Sequence, residues 1–340
     1  MKRFVLVLLF SGLGLLSAQV KTPYGEATVF TFQHNGEEVN FLRVSTEPSL
    51  RRPVMVLCLG SFPAPLLIEE EAGTIIPYSR ILFYDGLSEK YDLVLIGKPR
   101  TPPVMKAGEL SSEYTVVTDL SDPYSFRSDF LENNYLEKHV EHTVAVLKYL
   151  KGLPWVDPDR ILLMGHSQGA HIAAHVAYEY PEVAALGYFG GNPLGRFAQF
   201  IVEERYRELR GEATMEETQQ RLDRRYERWR TINRGLAVDE SGDPDRTWTS
   251  FSPNYINKMA ALQVPVYVAY GTKDPGGHLC YLLPVYFELA GKTDYRMVPF
   301  PDRGHNFEEF TPEGKSDMDT SKWFEALQGF VAWSEALPGG

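Results

Sequence analysis

The chain has 340 residues, of which 44% are hydrophobic and 23% are charged, and its formal net charge at pH 7 is −11. This composition is typical of a globular protein with a large buried core. The negative charge argues against a nucleic-acid partner, because phosphate binding needs a concentrated basic surface. The charge says little about which small molecule binds, and the composition leaves the oligomeric state undetermined.

The N-terminal segment MKRFVLVLLFSGLGLLSAQ has the layout of a secretory signal peptide. Lys2 and Arg3 supply positive charge, an apolar stretch follows, and Ser17-Ala18 forms a small-residue exit. The apolar run is too short for a comfortable transmembrane helix. We predict a signal peptide over residues 1–18 and an exported protein, periplasmic or secreted, that is not stably inserted in a membrane after cleavage. A retained N-terminal anchor is the alternative.

Residues 28–46 alternate apolar and polar side chains around Asn35-Gly36, which suits a type I′ turn and predicts an antiparallel hairpin. Short, continuous apolar runs that end at glycine follow it, at 53–60, 91–97, 160–165, 185–191 and 264–271. Continuous apolarity is typical of strands buried on both faces of a parallel sheet. A helical pattern over 133–153 lies between two of these runs. The expected fold is a doubly wound, mostly parallel α/β sheet entered by an antiparallel hairpin.

Residues 196–255 interrupt this rhythm with a segment that is rich in interspersed Glu and Arg. Beneath the charge, apolar residues recur at spacings that give one helical face, from Met215 to Ile232. One interpretation is a solvated pair of surface helices with ion pairs along them. The sharper one, which we adopt, is a helical cap over the sheet, with the core formed by 19–195 and 256–340. The cap carries several aromatic residues that we expect beside a substrate: Tyr206, Tyr226, Trp229 and Trp248.

Gly165-His166-Ser167-Gln168-Gly169 follows a predicted buried strand and precedes a predicted helix, AHIAAHVAYEYP. This is the context that the nucleophile-elbow motif G-x-S-x-G requires. Side chains two positions either side of the serine would clash in so tight a turn, so Gly165 and Gly169 are needed there. The turn exposes the hydroxyl of Ser167, and the following helix directs backbone N–H groups at negative charge that forms beside it.

A serine needs a base, and the base needs an orienting acid. Asp274 lies just past the apolar run 264–271, and His305 lies in a loop after a predicted short strand at 296–300. Serine, acid and histidine thus occur in the chain order of this type of fold, each after a strand.

With these residues the chain resembles the α/β-hydrolase superfamily, from the hairpin near Thr28 to the last helix near Val331. The resemblance implies that Ser167 is the nucleophile and that His305 acts first as general base and then as general acid. It implies that Asp274 holds the imidazole, and that neither a metal nor an organic cofactor takes part.

The resemblance also implies an oxyanion hole that is completed by the loop GSFPAP, after the run 53–60. The expected donors are the backbone N–H of Gln168 and that of Ser61 or Phe62. Many members of the family carry His-Gly at this turn, whereas this chain has Leu59-Gly60. That departure leaves the donor on this side open.

Other residues compete for these roles. Asp302 is three residues before His305 and is an alternative acid, although its position favours bracing the local turn. His166 adjoins the serine but is expected to point away from it. His171 and His175 have the i, i+4 spacing of metal ligands, yet they lack the glutamate of H-E-x-x-H and are expected to pack against the sheet. We predict no metal site.

The two cysteines, Cys58 and Cys280, are too few for a disulfide framework. Cys58 lies in an apolar run, where a buried thiol is expected. A bridge between the two remains open for an exported protein.

The sequence thus predicts a serine hydrolase that cleaves a carboxylic ester of a small or medium substrate. One alternative is a serine peptidase that resembles the catalytic domain of the prolyl oligopeptidase group. Another is a secreted ligand-binding protein that has kept the hydrolase scaffold without its activity.

Overall fold

The structure is a computed structural model that describes residues 16–79, 86–235, 243–311 and 314–337. Residues 1–15 of the predicted signal peptide lie outside these ranges, whereas residues 16–18 belong to the first strand. The signal peptide therefore stays a prediction. Among the described residues, no helix combines the length and apolarity needed to cross a bilayer.

The strands of the described residues are, in chain order, β1 (Leu16–Thr22), β2 (Gly25–His34), β3 (Glu37–Ser45), β4 (Arg52–Cys58), β5 (Leu67–Glu69), β6 (Ile75–Pro77), β7 (Asp92–Ile96), β8 (Val104–Lys106), β9 (Val156–His166), β10 (Ala185–Phe189), β11 (Val266–Gly271), β12 (Tyr295–Phe300), β13 (Glu309–Phe310) and β14 (Ser316–Asp317).

The α-helices are α1 (Leu87–Lys90), α2 (Ser128–Leu131), α3 (Leu136–Lys151), α4 (Gln168–Glu179), α5 (Arg196–Leu209), α6 (Met215–Asn233), α7 (Asp245–Phe251), α8 (Ile256–Ala260), α9 (Pro275–Leu279), α10 (Leu283–Ala290) and α11 (Trp323–Glu335). Short 3₁₀ helices are also present, at Ala107–Glu109, Cys280–Leu282 and Met318–Thr320.

One nine-stranded sheet has the order β1-β2-β3-β7-β4-β9-β10-β11-β12. The strands from β1 to β7 in this order are paired antiparallel, and those from β7 to β12 are paired parallel. The predicted fold, a mostly parallel α/β sheet entered by an antiparallel hairpin, is confirmed. At the turn of that hairpin, Asn35 and Gly36 have φ values of 50° and 79°, the left-handed conformations that a type I′ turn requires.

The apolar runs form the centre of the sheet, as β4, β7, β9, β10 and β11. Alternate residues of β4 belong to different core clusters. Val54 and Val56 pack into one cluster with α3 and α4, and Met55 and Leu57 pack into the other with α11. Both faces of the sheet are therefore covered, which is why these strands are continuously apolar.

Helices α5, α6 and α7 lie between β10 and β11, within the predicted cap range 196–255. The carboxylate of Glu204 on α5 is 1% exposed and accepts hydrogen bonds from Arg221 and Arg225 on α6. The hydroxyl of Thr247 on α7 donates to the backbone carbonyl of Asn134, just before α3, over 2.6 Å. These helices are thus joined to one another by buried charge and to the rest of the chain by a buried hydrogen bond.

Candidate active site

Ser167 lies at a sharp turn between a strand and a helix. It stands between the last residue of β9 and the first residue of α4, and its φ of 57° and ψ of −124° are strained for a residue with a side chain. A Cβ atom at Gly165 would lie 2.0 Å from the Gly169 oxygen, and one at Gly169 would lie 2.0 Å from the Cys58 oxygen. The glycines of the motif are therefore required sterically by the turn that presents this serine.

Asp274 and His305 are hydrogen-bonded to each other. Asp274 follows β11 and caps α9, where its Oδ1 accepts from the backbone N–H of Gly276 over 3.0 Å. Its Oδ2 accepts from Nδ1 of His305 over 2.9 Å. Because a carboxylate only accepts, the proton lies on Nδ1, and the neutral imidazole keeps its lone pair on Nε2.

The pKa of His305 reflects two opposed effects. Burial lowers it, because a charged imidazole is poorly solvated there, but the charge and hydrogen bond of Asp274 raise it and the charge of Glu308 adds to them. The net pKa is raised above the ordinary 6.5. Asp274 therefore keeps the imidazole basic enough to accept a proton in spite of the burial.

Ser167 and His305 meet around residues 189 and 190. The backbone N–H of Ser167 donates to the Phe189 carbonyl over 3.0 Å. A Cβ atom at Gly190 would lie 3.0 Å from the His305 carbonyl oxygen, so the two segments of the chain that carry these residues pass closely at this point. Gly190 also lines the same cavity as Ser167. The structure therefore brings the predicted nucleophile and base to one site.

His166 takes a structural position beside this site. Its Nε2 donates to the His305 carbonyl over 3.0 Å, and its ring packs edge-on against Trp323. Burial is the main cause that lowers its pKa to about 3, so the ring is neutral at physiological pH. Asp302, the alternative acid, is a surface residue whose side chain is 82% exposed and lies 3.4 Å from Lys273.

A cavity of about 160 Å³ lies beside Ser167. Its wall combines residues of the predicted core with residues of the predicted cap range 196–255: Ser61, Ser167, Gln168, His171, Gly190, Arg196, Gln199, Phe200, Asp243 and Phe251. The guanidinium of Arg196 pairs with Asp243 over 2.6 Å and lies over the Trp248 ring. The cavity is therefore small and largely polar on the side that α5 forms.

The four aromatic residues expected beside the substrate are not part of this wall. Tyr226 and Trp229 pack against Phe197, and Trp248 packs against Phe200. The remaining one, Tyr206, lines a separate cavity of about 810 Å³. Tyr226 and Trp229 belong to the apolar face predicted between Met215 and Ile232, and both are occupied by contacts among the helices themselves.

The loop after β4 brings one of its two predicted donors to the cavity. Ser61 lines the wall beside Ser167, whereas the ring of Phe62 packs against Tyr124 and Phe126. On the other side, Gln168 is the first residue of α4, and first-turn N–H groups have no acceptor within their own helix. Both predicted sides of the oxyanion hole thus adjoin the serine.

His171 and His175 are packed against an aromatic ring. Both lie near Tyr255, with ring centroids 5.0 and 4.7 Å away, and His175 Nδ1 donates to the His171 carbonyl over 2.9 Å. Burial is the main cause that lowers their pKa values to about 3 and about 4. Within the described ranges, no group of three or more His, Cys, Asp or Glu residues is arranged to hold a metal ion.

Cys58 and Cys280 are both buried and both unpaired. Cys58 ends β4, and burial raises its pKa to about 12. The thiol of Cys280 instead donates to the Gly191 carbonyl over 3.2 Å. The structure therefore contains two free thiols and no bridge between them.

Sequence reasoning missed three polar residues around this site. Lys98 donates to the side chain of Gln168 over 2.9 Å, Asn134 contacts the same side chain, and Arg196 lines the cavity. Lys98 stands in the stretch GKPR, which is typical of a solvated turn, and Asn134 falls at the start of the helical pattern predicted over 133–153, whereas α3 begins at Leu136. Their burial results from tertiary packing, so no local pattern indicated it.

Residues 97–314 match the family described as the Alpha/beta hydrolase family, over more than half of the chain. The chain belongs to this family. Among curated proteins, none matches the sequence.

Solved structures show the same fold at low sequence identity. Acetyl xylan esterase from a Paenibacillus species superposes with a TM-score of 0.54 at 16% identity, covering 96% of this chain and 90% of the esterase. Acetyl xylan esterase 1 from a Thermoanaerobacterium species gives 0.53 at 14%, covering 96% and 89%. Dipeptidyl peptidase 4 from Porphyromonas gingivalis gives 0.53 at 13%, covering 92% of this chain but 36% of the peptidase.

Proposed function

We propose that this protein is a serine hydrolase that cleaves carboxylic esters with a short acyl group through an acyl-enzyme. The observation that carries the proposal is the 2.9 Å hydrogen bond between Asp274 and His305 at the site where Ser167 occupies a strained turn. A serine raised on such a turn, with an oriented imidazole next to it, has the arrangement required for nucleophilic attack on a carbonyl.

The reaction begins when Ser167 Oγ attacks the ester carbonyl carbon while Nε2 of His305 takes the hydroxyl proton. The negative charge that develops on the carbonyl oxygen is stabilised by the backbone N–H of Gln168 and by that of Ser61 or Phe62. The tetrahedral intermediate collapses, the C–O bond to the alcohol breaks, and His305 returns the proton to the departing alkoxide. Water then attacks the acyl-enzyme by the same sequence and releases the acid.

The cavity supports a short acyl group. Ligand pockets for drug-sized molecules span roughly 300–1,000 Å³, whereas the cavity beside Ser167 measures about 160 Å³. Its polar wall, with the Arg196–Asp243 ion pair, also offers less apolar surface than a long hydrocarbon chain requires. We therefore infer that acetyl esters are cleaved faster than octanoyl esters, and that the substrate's alcohol is polar.

Labelling with a fluorophosphonate tests the nucleophile. The wild type is expected to be labelled and Ser167→Ala is expected to remain unlabelled, because the probe bonds covalently to an activated serine. Ser334→Ala is the control, since Ser334 lies away from the cavity and its hydroxyl donates to the Val331 carbonyl of α11. Equal labelling of wild type and Ser167→Ala, or labelling of neither, would refute the assignment.

A set of p-nitrophenyl esters and peptide nitroanilides tests the bond that is cleaved. Cleavage of the acetyl ester with little cleavage of the anilides supports the ester hydrolase. Faster cleavage of the anilides would indicate the peptidase alternative, and tight ligand binding without turnover of either would indicate the binding protein.

We also propose that the protein is exported to the periplasm or secreted. The proposal rests on the order of the N-terminal segment, in which basic residues precede an apolar stretch and a small-residue exit at Ser17-Ala18.

A further inference from the structure

Lys98 is a buried lysine close to the predicted nucleophile. It follows β7, and only 5% of its surface is exposed. Its Nζ donates to the side-chain oxygen of Gln168 over 2.9 Å, and no carboxylate of the described residues lies within ion-pair distance of it. Burial lowers its pKa to about 7. A lysine in this environment costs stability, so its position calls for a role other than stabilising the fold.

The contact fixes the side chain of Gln168 in one orientation. The ammonium form of Lys98 can only donate, and the atom that faces it is the amide oxygen of Gln168. The amide nitrogen then faces Asn134, whose Oδ1 accepts from it over 3.4 Å and also accepts from Nε2 of His139 over 2.9 Å. Both ends of the Gln168 amide are thus held by buried residues from two other segments.

Gln168 also carries the backbone N–H that is expected to stabilise the oxyanion. An oxyanion-hole donor is effective only when it is aimed in advance at the position where charge develops. Restraining the side chain of a first-turn residue from two directions restrains the backbone amide of that same residue.

We propose that Lys98 is a positioning residue for the reaction, which acts through the Gln168 side chain to align the Gln168 backbone N–H with the oxyanion. The inference rests on the proposed function, because it assigns Lys98 to the same hydrolytic site. Lys98 itself does not touch the cavity, whose wall includes Gln168 but not the lysine.

The test is Lys98→Met, which keeps the length of the side chain and removes the donor. Active sites are counted by the burst of nitrophenol from diethyl p-nitrophenyl phosphate, and kcat per counted site is measured with p-nitrophenyl acetate. We expect kcat to fall roughly 10- to 100-fold with little change in KM, which is the range for a displaced catalytic group. A kcat within twofold of the wild type would overturn the inference.

Lys292→Met is the matched control. Lys292 is also buried, at 7% exposure, but it donates to the carbonyls of Leu262 and Val264 and pairs with Asp294, away from the cavity. Its loss is expected to lower the thermal midpoint while kcat per counted site stays unchanged. An equal fall in kcat in both lysine variants would mean that Lys98 acts through general stability, which would overturn the inference.

Gln168→Met tests whether Lys98 acts through the Gln168 side chain. It also replaces Lys98→Met as the test if that variant does not fold. It keeps the backbone N–H and Lys98 but removes the side-chain oxygen, and we expect a fall in kcat of similar size. In the double variant the two effects should not multiply, since both break the same contact. Multiplying effects, or an unchanged kcat in Gln168→Met, would overturn the inference. Absence of any nitrophenol burst in the wild type would instead contradict the proposed function.

Discussion

Four histidines near Ser167 differ in the direction in which their pKa values shift. His166, His171 and His175, on β9 and α4, have pKa values lowered to about 3, about 3 and about 4, mainly by burial. His305, after β12, also experiences burial, yet its pKa is raised because Asp274 accepts a hydrogen bond from it. The side chain of His305 is 33% exposed, and its hydrogen bond to a carboxylate distinguishes it from the other three.

The comparison shows why one imidazole near this serine is suited to act as a base. A histidine with a pKa near 3 or 4 accepts a proton too weakly to assist a serine hydroxyl at neutral pH. His305 keeps useful basicity in a partly buried position because the buried carboxylate of Asp274 compensates for the lost solvation. In the proposed mechanism, Asp274 therefore selects the base among several neighbouring histidines, in addition to orienting it.

Asp274→Asn most directly removes the difference between His305 and the other three histidines. The variant removes the carboxylate charge and is expected to place His305 in the wrong tautomer or orientation, lowering kcat roughly 10³- to 10⁴-fold. The rate of p-nitrophenyl acetate hydrolysis per folded molecule measures the effect. Asp302→Asn is the control, because that exposed side chain faces Lys273 and its loss should leave the rate near that of the wild type. A larger loss in Asp302→Asn than in Asp274→Asn would reverse the assignment.

The neutral histidines predict how stability depends on pH. In the unfolded chain they bind protons below their ordinary pKa of 6.5, whereas in the folded chain they remain neutral to much lower pH. The unfolded state therefore binds more protons as the pH falls, and the free energy of unfolding decreases by about 1.4 kcal/mol per pH unit for each such histidine.

Urea unfolding at several pH values between about 6 and 5 measures this slope, above the range where most carboxylates titrate. His175→Gln is expected to reduce the slope by about one proton, and an unchanged slope would contradict the neutral state of His175. The contribution of His305 has the opposite sign. Its raised pKa adds stability that is fully present below 6.5 and is lost as the pH rises through the folded-state pKa.

The pH dependence of kcat/KM also tests the comparison between His305 and the other histidines, and we expect its effect to be the smallest. His305 must be neutral to accept the proton, so activity is lost as the pH falls through its raised pKa, and the wild-type acid limb should lie above 6.5. In Asp274→Asn the residual activity should show an acid limb at lower pH, because burial then acts without a compensating charge. An acid limb that is unmoved in this variant would show that another group titrates.

The parts of the fold that the sequence predicts well are those in which burial imposes a pattern. The strands β4, β7, β9, β10 and β11 are covered on both faces, so the sequence runs that form them are continuously apolar and end at glycine. The small sheet formed by β5, β6 and β8 was missed, because strands of three residues are too short to show a period. The start of β9 was also missed, because polar residues separate Val156 from the apolar run.

The residues of the site likewise divide into those that the sequence predicts and those that it does not. Gly165 and Gly169 are required by local sterics, so the turn around Ser167 could be predicted from five residues. Lys98 could not, since a lysine between glycine and proline is typical of a solvated turn. Lys98 contacts Gln168, which is 70 residues further along the chain, and a local pattern does not record such a contact.

The strand order has a consequence for how the protein folds. His166 and His305 are hydrogen-bonded but are 139 residues apart in sequence, and β12, which precedes His305, is the edge strand of the parallel region. Contacts between such distant segments form only after a large entropy of loop closure has been overcome. A partly folded chain that lacks β12 could present the serine turn without its base. Hydrolytic activity would therefore report on completion of the last strand pairing rather than on collapse of the chain.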